Sequence, residues 1–221
     1  DTNVTAVSKL CENLYEKNFL KQFLQIGSSE VYGGTIKPAK ETDNPNPTSP
    51  YAISKLAADY HMLSLYNHMG FPCNVIRPSN CYGSGQYMYR LIPKAILYGI
   101  TGKKFPLEGG GKAIKSFMHA TDLANAIVRI LQSEKHGKIY NAGVDKPNSM
   151  KEIVKCVSDN LGLNFDEFCE ITEGRKTEDS QYWINSDLIF NDLGWKAEIS
   201  LNDGISEVIE WVKKHKDELI K

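Results

Sequence analysis

At 221 residues and 41% hydrophobic composition, the chain can bury a substantial core and is expected to form one domain or two closely shared lobes. Its 26 Lys and Arg against 27 Asp and Glu leave a net charge of -1, which offers no overall electrostatic case for nucleic acid or an anionic membrane. The five scattered cysteines (Cys11, Cys73, Cys81, Cys156, Cys169) are odd in number and form no C-x-x-C pair, which argues against a zinc site or a disulfide framework and suits a reducing cytoplasm. No apolar run reaches the roughly 18 to 20 residues of a spanning helix, and no signal peptide opens the sequence.

Residues 1–17 carry Val4, Val7, Leu10, Cys11, Leu14 and Tyr15 at three- and four-residue spacing, the stripe of an amphipathic helix. Phe23 to Ile26 reads as a short buried strand ending in the small residues Gly27, Ser28 and Ser29. Residues 33–50, rich in Gly, Pro, Thr, Asn and Asp, predict a long surface loop of the kind that often carries function. A helix over Tyr51 to Met69 and a buried strand over Cys73 to Ile76 follow, then a loop over Pro78 to Gln86. Tyr89 to Ile100 reads as an apolar helix interrupted by Pro93. After it come the strand-like Phe105 to Leu107, a glycine cluster at 109–111 and an alternating run from Ile114 to His119. Thr121 is expected to precede a helix reaching Gln132, with Asp122 in its first turn suiting the helix dipole. A strand at Lys138 to Asn141 and helices near Met150 to Leu161, Ser186 to Leu193 and Leu201 to Lys214 complete the chain, with Ser149 and Ser186 as caps.

Strands separated by helices predict a parallel α/β sheet, because parallel neighbours need crossover connections. No G-x-G-x-x-G follows a strand, so the nucleotide half of such a sheet is expected to be missing from this sequence. Tyr51 and Lys55, four apart, share one face of their helix. An ammonium beside a phenol favours the phenolate, which lowers a tyrosine from about 10 towards usable basicity. Taken singly, such a pair is an ordinary solvated helix face, Asn80 a turn stabiliser, Lys115 and Arg175 surface charges, and Glu30 a loop carboxylate. His119 reads as a strand or surface residue, and Trp183, Trp195 and Trp211 as packing residues; no metal-ligand set can be assembled.

Three motifs change that reading: S-S-E-V-Y-G (28–33) at a strand end, S-P-Y-A-I-S-K (49–55) entering a helix, and R-P-S-N-C-Y-G (77–83) at the next strand end, where doubly wound sheets collect ligands. With R-L-I-P (90–93), the G-G-G-K-A-I-K-S-F-M-H-A-T-D run (109–122), Y-N-A-G (140–143) and D-L-G-W (192–195), they give the chain a resemblance to the NAD-dependent epimerase/dehydratase family over nearly its whole length. Within these extended short-chain dehydrogenases it is most similar to the dTDP-glucose 4,6-dehydratases. The resemblance implies an incomplete Rossmann-type doubly wound sheet with a smaller C-terminal substrate-binding lobe. Residues 1–78 and 119–145 would be the remainder of the NAD-binding domain, and 79–118 and 146–221 mainly the substrate lobe. It further implies NAD as cofactor, a nucleoside-diphosphate sugar as substrate and a homodimer through the Tyr51 helix and the one before it.

By the same resemblance, Tyr51 is the base at the sugar C4 hydroxyl, Lys55 holds the nicotinamide ribose, and Ser28 bonds the C4 oxygen. Glu30 matches the glutamate that removes the C5 proton. Ser29 stands where the dTDP-glucose enzymes usually carry the aspartic acid for the departing C6 hydroxyl. Ser79 falls at a cofactor position, and Asn80, Arg90, Lys115 and Arg175 at positions contacting the substrate's phosphates or sugar backbone. A C4 epimerase, a uronate decarboxylase and a non-catalytic binding remnant stay open as alternatives. Without the glycine loop, weak NAD binding and negligible turnover are expected.

Overall fold

The computed structural model describes residues 1–17, 19–174 and 181–219. Helix α1 (Thr5–Tyr15) turns Cys11 inward with Val7 and Leu14 beside it. Strand β1 (Phe23–Ile26) runs into one 3-10 turn, Ser29–Tyr32. Helix α2 (Pro50–Met69) has the ends its sequence implies. The Ser49 hydroxyl accepts the Ala52 N–H, Pro50 fills the first turn, and Gly70 closes the helix in the left-handed conformation. Strand β2 (Cys73–Pro78) is buried through Arg77.

Residues 78–86 are not simply the expected loop, since they contain β3 (Asn80–Tyr82), a strand too short to show a period in sequence. Helix α3 (Leu91–Ile100) is not interrupted by Pro93, because Pro93 lies in the first turn, where a backbone N–H would find no intrahelical acceptor. Next come β4 (Phe105–Glu108), a turn at Gly109–Gly111, β5 (Ile114–Lys115), β6 (Phe117–His119) and α4 (Ala120–Gln132). The cap of α4 is His119, whose Nδ1 accepts the Thr121 N–H, so Thr121 lies inside the helix it was expected to precede. Asp122 is buried, and its two carboxylate oxygens accept the N–H groups of Glu198 and Ile199, both at 3.1 Å. It ties α4 to a distant segment in addition to facing the dipole.

Strands β7 (Ile139–Ala142) and β8 (Asn148–Ser149) lead to α5 (Met150–Asn160), whose N-terminus is a capping box of Ser149 and Glu152. Helix α6 (Phe165–Phe168), β9 (Cys169–Thr172), β10 (Gln181–Tyr182), α7 (Asp187–Leu193), α8 (Leu201–Lys214) and α9 (Lys216–Leu219) follow. Ser186 precedes α7, but its hydroxyl accepts the Gly143 N–H at 2.9 Å and makes no cap bond.

The central sheet has the order β1-β2-β7 and is parallel throughout, with Ile26 opposite Ile76 and Ile76 opposite Tyr140. Alternation along β2 sends Cys73 and Val75 into a core with α1 and α2, and Ile76 into a core with α4, α7 and Trp195. Helices therefore cover both faces, the doubly wound α/β arrangement. Parallel pairs β3–β6 and β4–β9 and the small β10-β5-β8 sheet flank it. The most populous buried cluster lies elsewhere, where α3, α5 and α8 bring together Ile92, Ile96, Ile153, Val157, Val208 and Ile209.

The 33–50 segment is less of a surface loop than its composition suggests. Ala39 is buried, its N–H donates to Trp183 O and its carbonyl accepts the Asn185 N–H, so the loop is stitched to the strand-like run at 183–185. Gly33, in the left-handed region, starts it; a side chain there would collide with the Asn46 carbonyl.

Candidate active site

The two serines, the glutamate and the asparagine named above gather at the carboxyl ends of β1 and β2. Gly27, just past β1, donates its N–H to Ile76 O at 2.7 Å, so the residues after it stand beside the end of β2. Ser28 is the N-cap of the 3-10 turn. Its hydroxyl oxygen accepts the Glu30 N–H at 3.2 Å, which leaves the hydroxyl hydrogen available for donation. Ser29 is buried and lines a narrow crevice with Ser79, Asn80, Ser116, Trp183 and Ile184. Ser79 holds its place through its N–H, bonded to Ala142 O at 2.8 Å, while its buried hydroxyl has no partner among the described residues. A buried unpaired hydroxyl is costly unless something else bonds it.

Helix α2 packs against this strand end. Tyr51 is 49% exposed in its first turn, and Lys55 is half-buried one turn later. Burial pushes the Lys55 ammonium below the usual lysine range, and the charge of Asp59 partly restores it. The face continues to Asp59, which is wholly buried. Gly27 permits this approach: a Cβ there would lie 2.9 Å from Asp59 Oδ1 and 3.1 Å from Ile76 O.

Beneath these residues lies a buried polar network that the sequence reading missed. Arg77, 1% exposed, donates from Nε to Asp59 Oδ2 and from Nη1 to Tyr32 Oη, both at 2.8 Å. Its guanidinium also sits 5.0 Å from the Tyr32 ring centre. Tyr32 Oη donates to Asn141 Oδ1 at 2.9 Å, Asn141 Nδ2 donates to Ala39 O, and the Asn141 N–H donates to Glu41 Oε1 at 2.7 Å. Burial raises the Asp59 carboxyl, with the nearby Arg77 charge pulling the other way. Burial would lower Arg77, but the charges of Tyr32 and Asp59 and its bonds to both carry it upward. The short Nε–Oδ2 contact is that of a charge-assisted bond, so the pair is ionised. Burial also raises Tyr32 and Glu41. The signal for this network was an arginine inside a buried strand, together with an aspartate four residues beyond Lys55.

Arg90 and Lys115 do not join the crevice lining. Arg90 is exposed at the N-cap of α3, with its guanidinium 5.3 Å from the Tyr89 ring centre. Lys115, on β5, is partly buried and adjoins Ser116 in sequence. Arg175 lies outside the described residues. His119 is buried in β6, its Nε2 3.4 Å from Glu207. Trp195 is a core residue whose indole N–H reaches Asp122 O at 3.1 Å, Trp211 stacks on His215, and Trp183 lines the crevice. The five cysteines are free, and burial pushes the Cys11, Cys73 and Cys81 thiols up to about 11. Among the described residues, no helix is long and apolar enough to cross a membrane, and no group of three or more His, Cys, Asp or Glu is arranged to hold a metal.

Residues 1–208 match the family model described as GDP-mannose 4,6 dehydratase. The chain is 32% identical over 202 residues to dTDP-D-glucose 4,6-dehydratase of Homo sapiens, covering 89% of this chain and 57% of that protein. It is 31% identical over 218 residues to dTDP-glucose 4,6-dehydratase of Streptomyces griseus, covering 97% of this chain and 65% of that one. The chain thus spans about three-fifths of the length of the curated relatives it matches. The crystal structure of dTDP-glucose 4,6-dehydratase from Bacillus anthracis str. Ames, in complex with NAD, superposes with a TM-score of 0.91 at 31% identity, over 98% of this chain and 69% of that one. On the match of residues 1–208 and this shared parallel fold, the chain belongs to the GDP-mannose 4,6 dehydratase family, among the NAD-dependent epimerases and dehydratases.

Proposed function

We propose that this chain carries the chemical residues of a nucleoside-diphosphate-sugar 4,6-dehydratase that uses NAD. The observation that carries the reading is the convergence of Ser28, Ser29, Glu30, Ser79 and Asn80 at the ends of two adjacent parallel strands, with the Tyr51–Lys55 face of α2 packed alongside. The unpartnered Ser79 hydroxyl and the half-buried Lys55 ammonium fit the nicotinamide end of a dinucleotide, so Tyr51, Lys55 and Ser79 would hold that end. When bound, the nicotinamide supplies the acceptor for the hydride from C4 and its later return to C6.

Each chain residue then has a task. Tyr51, as phenolate, takes the proton of the C4 hydroxyl, and the positive charge of Lys55 favours that phenolate. Ser28 turns its hydroxyl hydrogen towards the C4 oxygen. Glu30 removes the C5 proton and delivers it to the C6 hydroxyl, which breaks from C6 and departs as water beside Ser29. Asn80, Arg90 and Lys115 contact the sugar and its diphosphate, as does Arg175. Residues 1–78 and 119–145 make the cofactor-side domain, and 79–118 and 146–221 the substrate lobe; the separate core between α3, α5 and α8 supports that division. Exposed Leu10, Tyr15, Ile53, Tyr60 and Met69 on α1 and α2 support a homodimer, which light scattering would test. The free cysteines suit a cytoplasmic setting.

Ser29 favours a second reading. A hydroxyl is a weaker acid than a carboxyl, so C4 epimerisation or uronate decarboxylation on the same scaffold asks less of this position. One experiment separates them. The chain, and any longer product of its gene, is incubated with NAD+ and dTDP-, UDP-, GDP- and CDP-sugars, and products are read by mass and sugar composition. Loss of water, abolished by Tyr51→Phe and Glu30→Gln, is the expected result. Epimer formation or carbon dioxide release would replace the dehydratase reading, and no change to any substrate would leave a binding protein.

A further inference from the structure

We propose that Arg77 and Tyr32 are positioning residues: the Asp59–Arg77–Tyr32–Asn141 chain fixes the Ser28–Glu30 turn against the Tyr51–Lys55 face of α2. The inference rests on the reading that these two groups act together. Its physical basis is independent of that reading.

The two halves of the site sit on elements that sequence alone does not join. Tyr51 and Lys55 are on α2, while Ser28, Ser29 and Glu30 are on a single short turn after β1. The turn's own bonds, Val31 N–H to Ser28 O at 3.4 Å, Glu30 N–H to Ser28 Oγ at 3.2 Å and Gly33 N–H to Glu30 O at 3.1 Å, shape it, and Val31 O accepts the Asn46 N–H at 2.9 Å, but these bonds do not reach α2. Tyr32 ends the turn, and its hydroxyl is the point at which the turn meets the network. Arg77 then spans the gap, because its guanidinium presents Nε to the α2 carboxylate and Nη1 to the Tyr32 hydroxyl in one rigid plane. Asn141, from β7, accepts the Tyr32 proton and fixes which way that hydroxyl points. Two strands, a turn and a helix thus meet on one phenol and one guanidinium.

The chemistry of the fork makes this more than a buried ion pair. A lysine at 77 would keep the charge and could reach one partner, but an ammonium on a flexible stem does not hold two partners in a plane. Asp59 Oδ1, without a hydrogen-bond partner among the described residues, lies where a side chain at Gly27 would stand, so α2 comes this near the end of β1 only because residue 27 is glycine.

Two variants and two readouts test this. In Tyr32→Phe and Arg77→Lys, hydrogen exchange of the backbone at 28–33 should speed by about tenfold or more, while the exchange of α5 and α8 stays as in the parent. Turnover of the sugar nucleotide accepted by the parent should fall by about tenfold or more in kcat with KM held within about twofold, since contacts to bound substrate are untouched. Should Arg77→Lys fail to fold, Tyr32→Phe keeps the ion pair and decides alone. Unchanged exchange at 28–33 in Tyr32→Phe overturns the proposal, as does a rise in KM with kcat unchanged. If neither the chain nor a longer product of its gene turns over a sugar nucleotide, the functional reading fails, and the exchange result still decides whether the network positions the turn.

Discussion

Two regions of the molecule are held by opposite means. Where α3, α5 and α8 meet, the contacts are apolar, built from Ile92, Ile96, Ile153, Val157, Val208 and Ile209. At the ends of β1, β2 and β7 the interior instead holds a charged pair, a phenol, an amide and a partly buried carboxylate. Apolar packing is non-directional and tolerates a change of shape at modest cost. A buried ion pair adds little net stability over an apolar one, but removing one partner strands the other charge. The first region makes the chain stable; the second makes one geometry stable at the place where the candidate chemistry sits.

The sharpest way to break the contrast is to delete one member of each. Asp59→Ala leaves Arg77 charged and without its partner on α2, which should cost about 3–5 kcal/mol in denaturant unfolding. Ile209→Val, at a site buried as deeply in the helical core, should cost only about 0.5–1.5 kcal/mol. Equal losses would mean that the polar region is no more demanding than the apolar one. The next effect is steric. Gly27→Ala places a methyl 2.9 Å from Asp59 Oδ1, and overpacking of this kind costs about 1–3 kcal/mol. In an Asp59→Ala background the same change should cost less if the collision is with the carboxylate; an undiminished cost would put the strain on Ile76 O instead.

Much of the apolar region is legible in the sequence, while little of the polar one is. The stripe Ile153, Val154, Val157 and the run Ile205, Val208, Ile209, Val212 recur at three- and four-residue spacing, and Ser149 with Glu152 marks the start of α5. The core strands stand out as short apolar runs between turn residues. The network does not, because Tyr32, Asp59, Arg77 and Asn141 lie far apart in sequence and no period links them. Likewise Ser116 and Trp183 join the crevice only through the pairing of short strands that carry no pattern. The motif residues Ser28, Ser29, Tyr51, Lys55 and Asn80 could be picked out because strand ends and a helix start fix where they stand. His119 as the cap of α4 could not, since histidine is not a usual cap residue.

A smaller effect sharpens the comparison at the edge of the helical core. Ser149→Ala removes the hydroxyl that accepts the Glu152 N–H at 3.1 Å and should cost about 1 kcal/mol, with no change in hydrogen exchange at 28–33. Glu152 is held below the usual carboxylate range by its bonds from the Ser149 N–H and hydroxyl. Loss of the cap should therefore return it towards an ordinary value, which a carboxylate titration by NMR would detect.

The smallest predicted effect isolates the carboxylate at the margin of the polar region. Burial raises Glu41 above its ordinary value of 4.5, against the bond from the Asn141 N–H. A folded state that holds this proton more tightly than the unfolded chain gains stability from it at low pH. That contribution is present below the unfolded value and is lost as pH rises through the folded one. At neutral pH the ionised group is then a standing cost of burial. Glu41→Gln keeps an oxygen to accept the Asn141 N–H and removes the charge. Measured by denaturant unfolding, the variant should be slightly more stable than the parent at pH 7, and that advantage should shrink or reverse below pH 4.5. A difference between the two proteins that does not change with pH would mean that Glu41 titrates alike folded and unfolded. The network would then end at Asn141, with the carboxylate an ordinary surface group beside it.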